Sequence, residues 1–522
     1  MILLEAHSIK HYVKDRLLLD IDQLRIQQKD RIGLVGRNGC GKTTLLNILA
    51  EEIVPEKGTV IRHVSCELLP QLKRTDTTKS GGEVTQEYIQ KALLRNPELL
   101  LADEPTTNLD TDHIEWLEKK LKTWQGALVI VSHDRAFLDA LCTTIWEIED
   151  GKLSLYTGNY SSYEKQKEAM HAEQRHAYEN YEKKKRQLEE ALKLKEEKAE
   201  RATKKPKNLS GSEARITGAK PYFAKKQKKL QTTANAIETR LEKLEKVEKV
   251  KETQLLKMNL PNVETFKNRI ILRMEDVSGM IGDRILWKKT RFLVRGGDKL
   301  AIIGPNGSGK STLLKKIINQ EPGITLSPSM RIAYFSQNLN ILDEEKPIIE
   351  NVRSTSKQEE TLIRTVLARM HFFKDDVYKP VGVLSGGERV KVALTKLFLS
   401  DMNTLILDEP TNYLDMGTVT ALESLLKEYE GSVIFVSHDR RFIENIATRI
   451  VEIRKQQIRV FEGSYSQFKK NKPRKRHDTE QDKRLVLETK IAAVIGRLSI
   501  EPSEELEKEF QQLLRKKREL DQ

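Results

Sequence analysis

No stretch of this 522-residue chain approaches 18 consecutive apolar residues, so the sequence offers no candidate membrane-spanning helix. The N-terminal MILLEAHSIKHYV also lacks the apolar core of a secretory signal. Cysteine is nearly absent. Cys40, Cys66 and Cys142 lie far apart with no CxxC pair, which excludes a disulfide framework or a zinc knuckle and makes a reducing cytoplasm the expected compartment. Acid is short relative to base: 77 Asp and Glu against 91 Lys and Arg leave a net charge of +14, which points to a polyanionic partner. Pro and Gly are missing altogether from 160–200 and 225–255, so both segments read as long helices.

Glycine is instead concentrated in two nonapeptides, GRNGCGKTT at 36–44 and GPNGSGKST at 304–312. Each comes after a short apolar strand, 31–35 or 299–303, and opens a helix expected to begin near Thr44 or Thr312. This is the context of a phosphate-binding loop. Gly36, Gly39 and Gly41, like Gly304, Gly307 and Gly309, let the backbone turn its N–H groups onto phosphates, with Asn38, Thr44, Asn306 and Thr312 completing the two nucleotide-binding sets. Lys42 and Lys310 are expected to reach the β- and γ-phosphates of ATP, while Thr43 and Ser311 offer hydroxyls to Mg²⁺.

Downstream of each loop, one series of motifs recurs in the same order. The first half has Gln71, SGGE at 80–83, LLLADEPTTNLD at 99–110 and VSHD at 131–134; the second has Gln337, LSGGE at 384–388, LILDEPTNYLD at 405–415 and VSHD at 436–439. This ordered set resembles the ATPase domain of ATP-binding-cassette (ABC) proteins. The resemblance implies that Asp103 and Asp408 organise Mg²⁺ together with Gln71 and Gln337, and that Glu104 and Glu409 orient or deprotonate the attacking water. It makes His133 and His438 the histidines that sense the γ-phosphate. It also implies a head-to-tail sandwich in which Lys42 shares its ATP with the signature Ser385, Gly386 and Gly387, and Lys310 with Ser80, Gly81 and Gly82. Tyr12 suits the position that stacks adenine, where the second half has Ile281, so stacking is expected to be weaker there.

The spacing of the repeat is uneven. Lys42 and Lys310 are 268 residues apart, yet Ser80 and Ser385, Glu104 and Glu409, and His133 and His438 are each 305 apart. The difference falls between Gln and signature, 9 positions in the first half against 48 in the second, so the helical subdomain that fills this interval is expected to be almost deleted from the first half. Lys79 also stands where the family has Leu.

Between the halves, residues 201–230 hold ten Lys or Arg and one acid. Leu230, Ala234, Ile237, Leu241 and Leu244 recur by four and three, a short coiled-coil seam. The stretch 206–223, with two Pro and two Gly, must break the helix, so an antiparallel hairpin about 60 Å long is expected, tipped by basic residues beside Tyr222 and Phe223. Such a tip suits RNA, where cations hold phosphate and rings stack on bases.

Paired cassettes, no membrane span and a charged helical linker together resemble the ABC-F proteins, ribosome-binding ATPases of the cytosol, and among them the Vga-type antibiotic-resistance factors. The fold implied is α/β: two tandem ABC-type P-loop ATPase domains (1–158 and 263–468) joined by a long α-helical coiled-coil hairpin (159–262, tip 203–223), with a helical C-terminal extension (469–522). The partners implied are the 70S ribosome through its 50S subunit and 23S rRNA, and P-site tRNA, with neither DNA nor a stable membrane partner. The activity implied is entry into the ribosomal E site and displacement of lincosamides, streptogramin A compounds and pleuromutilins. Two alternatives stay open: a housekeeping translation factor of the same fold, and the energy subunit of a membrane exporter.

Overall fold

A computed structural model describes residues 1–71, 81–107, 109–203, 219–244, 267–336, 341–412 and 414–471, with isolated positions of the tail at 507, 510, 511 and 514. The two halves repeat one α/β plan. In the first, β1 (Ile2–Val13), β2 (Arg16–Gln27) and β4 (Lys57–Arg62) form an antiparallel sheet in the order β2-β1-β4. Behind it lies a six-stranded sheet in the order β5-β6-β7-β3-β8-β9, built from β3 (Arg31–Gly36), β5 (Cys66–Leu69), β6 (Leu99–Asp103), β7 (Ala127–Val131), β8 (Thr144–Glu149) and β9 (Lys152–Thr157). All its pairings are parallel except β8 with β9. LLLAD of β6 and ALVIV of β7 are buried at every position, as strands covered on both faces must be. Helices α1 (Lys42–Leu49), α2 (Gly81–Leu94), α3 (Thr111–Thr123) and α4 (Arg135–Leu141) supply the crossovers.

Two long helices come next, α5 (Tyr160–Thr203) and α6 (Ala219–Glu242), packed against each other. Forty-four residues give α5 a length of about 66 Å. Ala234 is buried and Leu230, Ile237, Leu241 and Leu244 are half-buried, so the apolar stripe of α6 is its covered side. The structure departs from the sequence expectation at the start of α6. The helix opens at Ala219, ahead of Pro221, because a proline in the first turn removes an N–H that has no intrahelical acceptor anyway. Residues 204–218, most of the expected tip, lie outside the described residues, as do 245–266.

The second half repeats the plan with β10 (Ile270–Ile281), β11 (Arg284–Arg295), β12 (Lys299–Ile303), β13 (Ile324–Leu326), β14 (Ile332–Phe335), β15 (Thr404–Asp408), β16 (Ser432–Val436), β17 (Arg449–Arg454) and β18 (Gln457–Glu462), in the orders β11-β10-β13 and β14-β15-β16-β12-β17-β18. Its helices are α7 (Lys310–Ile318), α8 (Ile348–Arg353), α9 (Glu360–Arg369), α10 (Gly386–Phe398), α11 (Met416–Glu428), α12 (Arg440–Ile446) and α13 (Tyr465–Asn471). The halves differ between β5 and α2, 11 residues apart, and β14 and α10, 50 apart. That longer interval holds α8 and α9, which bury Ile348, Val352, Ile363, Val366 and Leu367 in the largest core of the chain. The first turn of α5 (GNYSSYEK) and α13 (GSYSQFKK) occupy matching positions, each after the last strand of its sheet.

Candidate functional site

Three neighbouring strands deliver the site in each half. β3, β6 and β7 lie side by side, and the P-loop, the DE pair and the VSHD segment leave from their C-terminal ends, where open parallel sheets bind ligands. In the second half β12, β15 and β16 do the same. Gly36 has φ 151°, and a Cβ there would lie 2.7 Å from the Ile148 carbonyl oxygen, so no side chain fits. Gly41 and Gly309, with φ 103° and 98°, turn the loop left-handed directly before the helix. That turn starts α1 and α7 at Lys42 and Lys310, two residues earlier than expected, with Thr43, Thr44, Ser311 and Thr312 inside the first turn.

Both lysines are buried and fold back over their loops. Lys42 Nζ donates to the carbonyls of Gly36 (2.8 Å) and Arg37 (3.0 Å), and Lys310 Nζ to those of Gly304 (3.0 Å) and Pro305 (3.2 Å). Thr43 Oγ1 donates to Asp103 Oδ2 at 2.7 Å, and the Ser311 hydroxyl pairs with Asp408 in the same way. Burial raises both aspartates above the usual carboxylate range, opposed by those hydroxyls and by the lysines.

The glutamates after them take a backbone conformation that their residue type seldom adopts: φ is 50° at Glu104 and 51° at Glu409. It aims each carboxylate at a histidine from the neighbouring strand. His133 Nε2 is 3.3 Å from Glu104 Oε1, and His438 Nε2 is 3.2 Å from Glu409 Oε1. Both Oε1 atoms are buried without an aligned hydrogen-bond donor, which leaves a lone pair for a water. In the second half burial pushes Glu409 up to about 7 against the opposing charge of Lys310, and burial with Lys310 pulls His438 down to about 3. An uncharged imidazole and a readily protonated carboxyl there suit proton movement near neutral pH.

The two halves meet over these loops. A cavity of about 940 Å³ runs between them, lined among others by Asn38, Gln71 and Glu104 of the first half and Gly387, Lys310 and Glu409 of the second. The first P-loop side and the second signature thus border one space. Across it the Asn306 backbone N–H donates to Asp110 Oδ2 at 2.9 Å. Ser385 caps α10 in a capping box with Glu388, and Gly386 and Gly387 form its first turn. Gly81 and Gly82 open α2, whereas Ser80, Lys79 and Gln337 lie outside the described residues. Asn306, Gly307 and Gly309 line the cavity, with Thr312. Tyr12 is 42% exposed and Ile281 59%, and Ile281 lines the cavity while Tyr12 does not.

The motifs alone do not point to the charges that join the halves. Arg135 pairs with Glu423, and Arg440 with Glu118 at 3.0 Å. Arg135 also faces Asp439 and Arg440 faces Asp134, each at 3.6 Å. A signal is nevertheless present in the sequence: each Arg comes directly after a VSHD, and each Glu stands eight residues after the Asp of NLD or YLD.

A family model described as ABC transporter matches residues 19–75 and 287–412, and a second of the same description matches 146–259. The chain is 32% identical to the ribosome protection protein VmlR of Bacillus subtilis, with 98% of this chain and 97% of that protein covered. It is 34% identical to the erythromycin resistance ATP-binding protein MsrA of Staphylococcus epidermidis, over 87% of this chain and 98% of that protein. The solved structure of RNase-L Inhibitor superposes with a TM-score of 0.58 over 88% of this chain and 91% of its own, at 17% identity, a likeness of fold. Among the described residues no helix is long and apolar enough to cross a membrane. The duplicated nucleotide site and these near-full-length relatives make the chain an ATP-binding, ATP-hydrolysing member of the ABC-F family.

Proposed function

We propose that this ABC-F ATPase binds the bacterial 70S ribosome at the E site and protects it from antibiotics, displacing lincosamides, streptogramin A compounds and pleuromutilins from the peptidyl-transferase centre. The observation that carries the reading is the 44-residue α5, a helix far longer than either ATPase half needs, in a chain similar over almost its whole length to VmlR. A rod of about 66 Å rooted beside the nucleotide cavity suits action at a distance from it. Its partners on this reading are 23S rRNA of the 50S subunit and P-site tRNA, and the basic segment 201–230 supplies the cations.

ATP lies between the halves, one molecule against Lys42 and the signature at Ser385, the other against Lys310 and the signature at Ser80. Lys42 and Lys310 leave their loop carbonyls to hold the β- and γ-phosphates. Each hydroxyl and carboxylate pair, Thr43 with Asp103 and Ser311 with Asp408, presents hard oxygens 2.7 Å apart or in the equivalent contact, a donor set that fits Mg²⁺. Gln71 and Gln337 complete those sets. When bound there, Mg²⁺ neutralises phosphate charge. Glu104 and Glu409 take a proton from the attacking water through the free Oε1 lone pair, and His133 and His438 hold that carboxylate and contact the γ-phosphate.

The test pairs chemistry with phenotype. Glu104→Gln with Glu409→Gln is expected to lower ATP hydrolysis by about a hundredfold or more while ATP binding persists, and to trap the protein on ribosomes in co-sedimentation. Expression of the wild type is expected to raise tolerance to a lincosamide, a streptogramin A and a pleuromutilin, and the double variant to give none. Wild-type expression without any change in susceptibility would return the chain to a housekeeping role in translation.

A further inference from the structure

The repeat is symmetric at the switch segments except at one position. VSHDRAF at 131–137 has Ala136 where VSHDRRF at 436–442 has Arg441. Arg441 does not face its own half. Its guanidinium donates to Glu164 Oε2 at 2.8 Å and to the Ser161 hydroxyl at 2.6 Å, approaches Asp139 Oδ2 at 3.5 Å, and lies 5.5 Å from the centre of the Tyr160 ring. Tyr160, Ser161 and Glu164 lie at the start of α5. One side chain of the second half thus grips the root of the arm on three of its first five residues.

The grip is continuous with the ATP site. Arg441 stands three residues after His438, whose Nε2 faces Glu409 at 3.2 Å. Between them Asp439 caps α12 by accepting from the backbone N–H of Arg441 (2.9 Å) and Phe442 (3.0 Å), so His438, Asp439 and Arg441 form one short rigid piece. The root is equally fixed on its own side: Tyr163 Oη donates to Glu147 at 2.7 Å, and Lys167 lies 2.8 Å from Glu147 and 3.1 Å from Glu149. A shift of the histidine segment relative to the first half therefore pulls on a helix that levers the shift out along its length. The equivalent element α13 uses opposite polarity, with Lys469 on Glu115 of α3, and the position matching Glu115 in the second half is Thr420. Among the described residues the Arg441 contact has no counterpart on the other side.

We propose that Arg441 is a positioning residue that ties the second-half switch segment to the root of the helical arm, so that the placement of His438 against Glu409 and the angle of α5 are set together. The coupling belongs to this ATP site alone, because Ala136 makes no such contact for the other. It requires ATP but no ribosome, and so stands or falls independently of the function proposed above.

Hydrogen exchange on the full-length protein tests it, in the Glu104→Gln/Glu409→Gln background that retains ATP. ATP is expected to slow exchange of peptides covering 159–170 by about fivefold or more. Arg441→Ala and Glu164→Gln are each expected to reduce that ATP-dependent slowing to less than about twofold, Arg441→Lys to retain roughly half of it, and the double variant to be no worse than either single one. In Glu104→Gln, which hydrolyses only at Glu409, adding Arg441→Ala is expected to lower kcat about threefold while KM for ATP stays within about twofold. Glu164→Gln guards against misfolding, since Glu164 is a third exposed on the arm and supports no core. Equal ATP-dependent slowing in wild-type, Glu164→Gln and Arg441→Lys proteins, or a loss that Arg441→Lys does not rescue at all, would overturn the proposal.

Discussion

At Asp415 two demands on one carboxylate can be separated by pH. Oδ1 accepts from the Thr418 backbone N–H and hydroxyl, both at 2.8 Å, and caps α11; Oδ2 lies 3.5 Å from the buried Lys391. Burial would raise its pKa, but Lys391 and Thr418 outweigh burial and hold it down at about 2. A carboxyl held below its unfolded value contributes stability that is complete above about pH 4 and fades as pH falls toward 2, here about 2 kcal/mol. Asp415→Asn keeps an acceptor for the cap and loses the charge. Its thermal midpoint is expected to lie below wild type at pH 7, and the gap to close as pH falls from about 4 toward 2. A gap independent of pH would assign the loss to capping geometry instead. The identities of the P-loop, DE and VSHD residues are legible in the sequence because each chemistry admits few residue types. Their conformations are not. Nothing in the letters of Glu104 or Glu409 announces φ near 50°, a turn that accompanies backbone N–H bonds to the carbonyls of Val131 and Val436 on the neighbouring strands.

Among the elements, the arm separates what periodicity reveals from what it leaves out. The four-and-three spacing from Leu230 to Leu244 marks the covered stripe of α6, since burial of that stripe is what selects those side chains. The start of the helix is not legible in the same way, because Pro221 close after Gly218 reads as a break although a first-turn proline is compatible with helix. Ala234 is the buried position of the seam, 6% exposed. Ala234→Asp places an unpaired charge there and is expected to loosen α6 from α5 by about 2 to 4 kcal/mol, speeding proteolysis within 219–244. ATP hydrolysis by the isolated protein is expected to stay within about twofold. A large fall in turnover would mean that the seam between α5 and α6, and not only the root held by Arg441, is energetically continuous with the sites.

At the scale of the whole molecule, the contact between the halves includes two crossed ion pairs, and they are unequal. Arg135 and Glu423 are 3% and 6% exposed, Arg440 and Glu118 12% and 16%. Removing one partner of a buried pair leaves a stranded charge at a cost of about 3 to 5 kcal/mol, and the cost shrinks with solvent access. Arg135→Ala is therefore expected to weaken ATP-driven closure more than Arg440→Ala does, read as the ATP-dependent decrease in radius of gyration by small-angle scattering. Equal effects would show that solvent screens both pairs alike. These pairs escape the sequence because a charge close after a VSHD histidine looks like ordinary surface until its partner, about 300 residues away, is brought beside it.

The matching of α13 with the first turn of α5 bears on how such chains change. Both halves follow the last strand of their sheet with a helix that opens on the same G-x-Y-S pattern, and in the first half that helix runs for 44 residues. The arm therefore starts from an element that both halves possess, and what distinguishes its root is the Arg441 contact with the second half. Beyond that root its length can change in steps of one turn, about 5.4 Å, without altering the residues that line the cavity. Reach and the lining of the cavity are consequently set by separate parts of the chain.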